Sequence, residues 1–297
     1  EATEPEEEPS ETELEEAGIK VLIGVPEMKV HAKLCLIKKR VNNLTIHYGF
    51  VSTGNLNEKT ALLYGDHCLL TSDRNIMADV NRIFTYLESP KTRESILKSC
   101  KTLIVSPVHM RRLFLLFINK EIKAAKSKKP ASITLKLNSL SDEMLIEKLH
   151  EAAKAGVELK MVIRGIFCMY TENKKFKIPV KAISIIDEYL EHARVMIFHN
   201  NGKEKVYISS ADWMVRNIDH RIEAACPILE KDIQKQLKDL IDIQLNDNVK
   251  ARVLDNELKN QYINSRNKIK IRSQVEIYNF LHYIDKQITT APAGDVS

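Results

Sequence analysis

The 297 residues are 44% hydrophobic and 29% charged, enough apolar material for a sizeable core and too much for a chain disordered throughout. No apolar run approaches the roughly 20 residues that span a bilayer, the five Cys are odd in number and lack CxxC spacing, and Gly is scarce at 9, so membrane-helical, disulfide-framework and collagen-like classes fall away. Residues 1–16 hold nine Glu and no base, and without them the formal charge moves from +5 to +14, a field suited to polyanions.

In chain order, 1–16 reads as a disordered or weakly helical acidic leader containing Pro5 and Pro9. Ile19–Val25, Val30–Lys38 and Leu44–Val51 are β-rich apolar runs, the last two separated by the turn-forming pair Asn42-Asn43. A short helix is expected at Asn57–Ala61, a strand at Leu62–Leu70, and a helix capped by Asp73 that runs to Leu87 with apolar residues at helical spacing. Leu103–Val105 begins a new strand, and the domain boundary is placed there: 17–104 against 105–297.

The second part predicts a helix (His109–Lys126), a strand (Ser132–Asn138), a helix (Asp142–Ala155) and a strand (Val157–Arg164), a βαβ unit that implies parallel pairing. A helix over Ala182–Glu191 is expected next, then strands at Val195–Phe198, Lys205–Ser209 and Arg221–Ile228. Helices at Asp232–Leu245 and Gln274–Gln287 follow, with fraying from Thr289. Cys35, Cys68 and Cys226 are expected in the core, Trp213 packed, the basic run at Lys126–Lys129 solvated, and Glu143, Glu147 and Glu151 on a wet helix face. Adjacent in a strand, His67 and Cys68 point to opposite faces and do not make a shared metal site.

Two stretches are alike in kind. His31-Ala32-Lys33 opens an apolar strand and is followed by Ser52-Thr53-Gly54-Asn55-Leu56-Asn57; His192-Ala193-Arg194 opens another and is followed by Ser210-Ala211-Asp212-Trp213. In each, a His and a base two residues on share one strand face, and the 161-residue separation suggests a duplicated domain. A neutral imidazole can attack phosphorus while neighbouring cations and amides stabilise the charge that develops, so this constellation suits phosphoryl transfer.

The run from Lys29 to Asp73 resembles the first phospholipase-D-like catalytic domain of bacterial polyphosphate kinase. Ser106–Arg111, Val162–Ile166, Ala182–Arg194 and Lys205–Arg216 resemble the second, and the similarity covers roughly Leu14–Asp285. The resemblance implies an α/β fold of two phospholipase-D-like domains with mixed sheets flanked by helices, the first incomplete at its N-terminal side. It implies ATP:polyphosphate phosphotransfer through a phosphohistidine: His31 is the phosphorylated residue, His192 the second catalytic histidine, and Tyr64 and Arg164 nucleotide-contacting positions.

Proximity adds Lys33, Asn55, Asn57 and Lys59 as phosphate ligands. ATP, ADP and inorganic polyphosphate are the implied partners, nucleic acid is not, and Mg2+ is implied with its ligands outside this chain, together with the adenine contacts and an upstream arginine pair. A cytoplasmic setting, peripheral membrane association and a homo-oligomeric full-length enzyme are further implications. Ser52 departs from the Gly common in the family. Two other readings stand beside this one. A phospholipase-D-like phosphodiesterase or phosphatidyltransferase commonly has His-x-Lys-x4-Asp, whereas Lys38 and His199 occupy the acid positions here. The other is a non-catalytic polyanion-binding module.

Overall fold

A computed structural model describes residues 11–22, 24–25, 28–88, 94–263 and 269–290. The expected disordered leader therefore lies outside the described residues up to residue 10, and its end forms helix α1 (Glu11–Glu16). Residues 19–22 carry no strand, and Val25 makes only an isolated bridge to Met28. Extended backbone persists as a strand only where a partner edge takes its N–H and C=O groups, and the apolar side chains of Ile19 and Leu22 stay exposed.

After the short β1 (Lys29–Val30), β2 (Lys33–Val41) and β3 (Leu44–Ser52) form a hairpin in register from Lys33 opposite Ser52 to Val41 opposite Leu44. Asn42 and Asn43 both adopt positive φ, 47° and 64°, the conformation a two-residue hairpin turn requires. Helix α2 (Glu58–Ala61) is followed by β4 (Tyr64–Gly65) and β5 (Cys68–Thr71). The single strand expected over Leu62–Leu70 is thus broken at Asp66-His67, because β5 pairs with β3 while β4 leaves for another sheet. Cys68 is exposed on the open face of β5, contrary to the core placement expected; Cys35 is half-buried and Cys226 buried. Helix α3 (Arg74–Leu87) starts where Asp73 accepts the Asn75 and Ile76 N–H groups, both at 2.9 Å. Helix α4 (Glu94–Lys98) precedes β6 (Ile104–Val105), so the expected boundary falls within one strand.

The βαβ unit is α6 (Glu143–Ala155) between β7 (Ser132–Leu137) and β8 (Glu158–Ile163), preceded by α5 (Met110–Lys126). Asp142 caps α6 by accepting the Leu145 N–H at 3.0 Å, and Gly156 closes it at φ 100°. The helix expected over Ala182–Glu191 is instead β9 (Lys181–Ile185) and β10 (Leu190–Glu191). Ala182 belongs to the core on one side of the sheet and Ile183 and Ile185 to the core on the other. A strand buried on both faces reads as a continuous apolar run and mimics a buried helix.

Next come β11 (Arg194–Phe198), β12 (Lys205–Ser209), α7 (Val215–Asp219), β13 (Arg221–Ile222) and β14 (Ala224–Pro227). Glu223 splits the strand expected over Arg221–Ile228 in the way Asp66 splits the earlier one. Helix α8 (Lys231–Leu245), an unforeseen β15 (Ala251–Val253) and α9 (Ser273–Thr290) complete the described chain. The expected fraying from Thr289 lies outside the described residues beyond 290, and Thr289 and Thr290 are still helical.

The large sheet has the order β15-β9-β8-β7-β11-β12-β14-β6, parallel between β7, β8 and β9 and antiparallel elsewhere. Along β11, Met196 and Phe198 face the core under α5 and α6, and Val195 and Ile197 face the core under α3 and α8. Trp213 packs as expected, its ring stacked 5.2 Å from that of Phe114. A smaller sheet, β2-β3-β5, belongs to the first half. Two short parallel pairs join the halves: β1 with β13, and β4 with β10. Among the described residues no helix is long and apolar enough to cross a membrane.

Candidate active site

The two joining pairs position the two histidines in the same way. Past the end of β1, the N–H groups of His31 and Ala32 both donate to the carbonyl of Ile222, at 2.9 Å each. Past the end of β10, those of His192 and Ala193 donate to the carbonyl of Gly65, at 3.2 and 2.9 Å. The residue after each accepting carbonyl is an acid. Glu223 Oε2 lies 2.9 Å from His31 Nδ1, and Asp66 Oδ2 lies 2.8 Å from His192 Nδ1. Each histidine is thus held by a carboxylate from the opposite half of the chain.

Both carboxylates are held in turn. Glu223 is fully buried and accepts from Ser210 Oγ and, at 2.8 Å, from Asn217 Nδ2. Asp66 accepts from Thr53 Oγ1 at 2.6 Å. Burial alone would raise the Asp66 pKa, but hydrogen bonds to His192 and Thr53 and the charge of Arg194 outweigh it and hold the carboxyl below its ordinary range. Gly54 makes room for this acid: a Cβ there would sit 1.8 Å from Asp66 Oδ2.

Cations surround the pair. Lys33 Nζ donates to the His31 carbonyl at 2.6 Å. Its pKa is lowered to about 8, by burial first and then by Arg194 and Arg221, against the pull of Glu223 and Asp66. One ammonium therefore feels both carboxylates that orient the histidines. Arg194 is ion-paired with Asp212 at 3.0 Å, donates to the carbonyls of Thr53 (3.3 Å) and His192 (3.0 Å), and lies 3.1 Å from His192 Nε2. Arg164 Nε donates to Asn138 Oδ1 at 2.5 Å, and Asn138 Nδ2 donates to the His192 carbonyl at 3.2 Å. Burial, then the charge of Arg194, lowers the Arg164 pKa. The Tyr64 ring tilts over His192 with centroids 5.0 Å apart.

Of the residues singled out in the sequence, His31, Lys33, Tyr64, Arg164 and His192 belong to this connected cluster. Asn57 accepts the Thr60 N–H at 3.1 Å as the cap of α2; Asn55 is exposed in the preceding loop and Lys59 exposed on the helix. Asp66, Glu223 and Asn138 go unmarked in the sequence, although a lone acid interrupting an apolar β run, as at Ile222-Glu223-Ala224, is the signal that finds one of them. Among the described residues no group of three or more His, Cys, Asp or Glu side chains is placed to hold a metal ion. Asp66 and Glu223 are each committed to a histidine, so the acids of this cluster do not offer a donor set for Mg2+, whose ligands the resemblance puts outside these residues.

Residues 8–93 match the family model "Polyphosphate kinase C-terminal domain 1" and residues 103–274 match "Polyphosphate kinase C-terminal domain 2". The polyphosphate kinase of Escherichia coli K12 is 42% identical over 273 residues, 92% of this chain and 39% of that protein. That of Vibrio cholerae is 43% identical over 278 residues, 94% of this chain and 39% of that protein. The chain thus spans about two fifths of the length of the curated relatives it matches.

The crystal structure of polyphosphate kinase from Porphyromonas gingivalis superposes with a TM-score of 0.85 at 35% identity, over 92% of this chain and 42% of that one. The phosphatidylserine synthase of Haemophilus influenzae, at 10% identity and a TM-score of 0.50 over 88% of this chain and 70% of that one, shares the fold alone. The expected α/β, phospholipase-D-like class is borne out. With both C-terminal family models matched in order and residues 103–274 alone covering more than half of the sequence, the chain belongs to the polyphosphate kinase family.

Proposed function

We propose that this chain carries the phosphoryl-transfer centre of a polyphosphate kinase, passing the γ-phosphate of ATP reversibly to the end of an inorganic polyphosphate chain through a phosphohistidine at His31. The observation that supports it most is the reciprocal pairing of each histidine with a carboxylate from the other half. With its Nδ1 proton donated to Glu223, His31 keeps the Nε2 lone pair free for phosphorus. The Nε2–P bond forms as the bond from the γ-phosphorus to the bridging oxygen breaks, and the electron pair leaves on ADP.

His192, held through Nδ1 by Asp66, presents Nε2 beside Arg194 and can place a proton on or take one from a phosphate oxygen. Lys33, Arg164 and Arg194 neutralise the charge on the transferred group, and Tyr64 flanks the nucleotide. In the second half-reaction a terminal polyphosphate oxygen attacks the same phosphorus and the N–P bond breaks. Incubation with γ-labelled ATP, followed by acid and base treatment, tests the role of His31. An acid-labile, base-stable protein label is expected in the native chain and none in His31→Ala; a label that survives in that variant overturns the assignment.

A further inference from the structure

Asp66 and His67 are neighbours in the chain, and so are Glu191 and His192. Asp66 pairs with His192, and His67 and Glu191 line, together with Asp66, a cavity of about 430 Å³ between the β4–β10 pair and helices α8 and α9. That volume is in the range of small-molecule sites, roughly 300 to 1,000 Å³. Its walls are aliphatic, with Leu69 and Ile208 on the sheets, Leu237 and Ile241 on α8, and Ile277 on α9. One end is polar and contains a buried ion pair, Lys136 to Glu191 at 2.6 Å, with the Lys136 side chain only 3% exposed.

The hydrogen bonding of that end is unequal. Glu191 accepts three hydrogen bonds: Oε2 from Lys136 and from Gln244 Nε2, each at 2.6 Å, and Oε1 from Gln274 Nε2 at 2.8 Å, while Gln244 Oε1, on another lining residue, is buried without a partner. Lys136 has three ammonium protons and gives one to Glu191. His67 also lines the cavity, its pKa lowered to about 4 by burial first and then by the charge of Lys136, so it is a neutral imidazole at pH 7. The charged groups acting on it are Lys136 on β7, Glu191 on β10 and the adjoining Asp66; α8 and α9 contribute the amides Gln236, Gln244 and Gln274 to the lining, and the sheet residues add Tyr64, Tyr189 and the Cys68 thiol. A cationic head would be repelled by Lys136 and would find Glu191 already taken by three donors, with the neutral Gln244 Oε1 as the open acceptor. An anionic head would find spare donors on Lys136 and a base beside it that can take up a proton.

We propose that this cavity is a binding site for a small amphiphile bearing a carboxylate, its apolar chain among the α8 and α9 aliphatics and its head on Lys136 and His67. The cavity shares Tyr64 and Asp66 with the surroundings of His192, and its test reads binding alone, so it does not depend on kinase activity. Titration calorimetry of the native chain with octanoate, octanol and octylammonium, in two buffers of different ionisation enthalpy at pH 7, reads both affinity and proton uptake.

Octanoate is expected to bind at least tenfold more tightly than the other two, with net uptake of protons as His67 gains a partner. Leu237→Trp, which fills the apolar end, and His67→Phe, which keeps a ring without the base, should each weaken octanoate at least tenfold, with folding checked by thermal melting. His67→Phe should also abolish the proton uptake. No octanoate binding, equal affinity for octanol or octylammonium, or octanoate binding unchanged in a folded Leu237→Trp protein overturns the proposal.

Discussion

His31 Nδ1 and Glu223 Oε2 lie 2.9 Å apart although 192 residues separate them along the chain. The contact exists because β1 pairs with β13, which delivers the Ile222 carbonyl to the His31 backbone and the next side chain to its ring. A buried carboxylate in that position engages the imidazole through Nδ1 and leaves Nε2 outside that bond.

Glu223→Gln should therefore slow labelling of His31 from ATP by roughly 10- to 100-fold, the rate equivalent of losing a charge-assisted hydrogen bond of ~1.5 to 3 kcal/mol. Single-turnover labelling measures it. An unchanged rate would show that Glu223 does not orient the nucleophile.

Gly54→Ala separates function from stability. The added Cβ meets the Asp66 carboxylate at 1.8 Å, and the end of a side chain can swing aside where backbone would resist. The melting temperature should change by no more than a few degrees, while the Asp66 to His192 hydrogen bond is lost and phosphoryl transfer falls. Imidazole NMR of His192 reports the hydrogen bond directly, and a signal identical to the native one would refute the displacement.

Lys33 sets a pH dependence. With its pKa lowered to about 8, chiefly by burial, it is charged at pH 7 and neutral above that value. A bound phosphate favours the charged form, so affinity for tripolyphosphate should be full below pH 8 and decline as the pH rises through it. In Lys33→Met the inflection should vanish. Titrations from pH 6 to pH 10 that give the same curve for both proteins would remove Lys33 from the binding site.

The Lys136 to Glu191 pair should behave as a buried pair does. Lys136→Met leaves a carboxylate stranded and should cost about 3 to 5 kcal/mol, whereas Lys136→Met with Glu191→Gln should recover most of that loss. The Glu191 pKa is lowered because Lys136 and the two glutamine amides outweigh the upward push of burial. Its stabilisation is therefore present above the ordinary Glu range and is lost as the pH falls through the depressed folded value. Urea unfolding of the three proteins at pH 7 and pH 4 measures both effects.

Local chemistry made much of the chain legible. Asn42-Asn43 specifies a hairpin, Asp73 and Asp142 cap helices, Gly156 ends one, and the apolar periodicity of α3, α5 and α6 needs only neighbours a turn away. The sequence by itself also determined the histidine-plus-base constellations and, through the long ordered match, the family. Residues 181–185 defeated that reading because a strand covered on both faces loses its period of two.

The tertiary structure alone decided how the site is assembled. Each of β1, β4, β10 and β13 is two residues long, too short to carry a sequence signal, and each exists only through a partner in the other half. Asp66 and Glu223 acquire their histidines across 126 and 192 residues, a relation set by how the two halves pack and not by any pattern within either. The same packing brings His67 and Glu191, the chain neighbours of Asp66 and His192 from opposite halves, to line one cavity, a meeting that no local pattern encodes because it depends on which strands of the two halves pair.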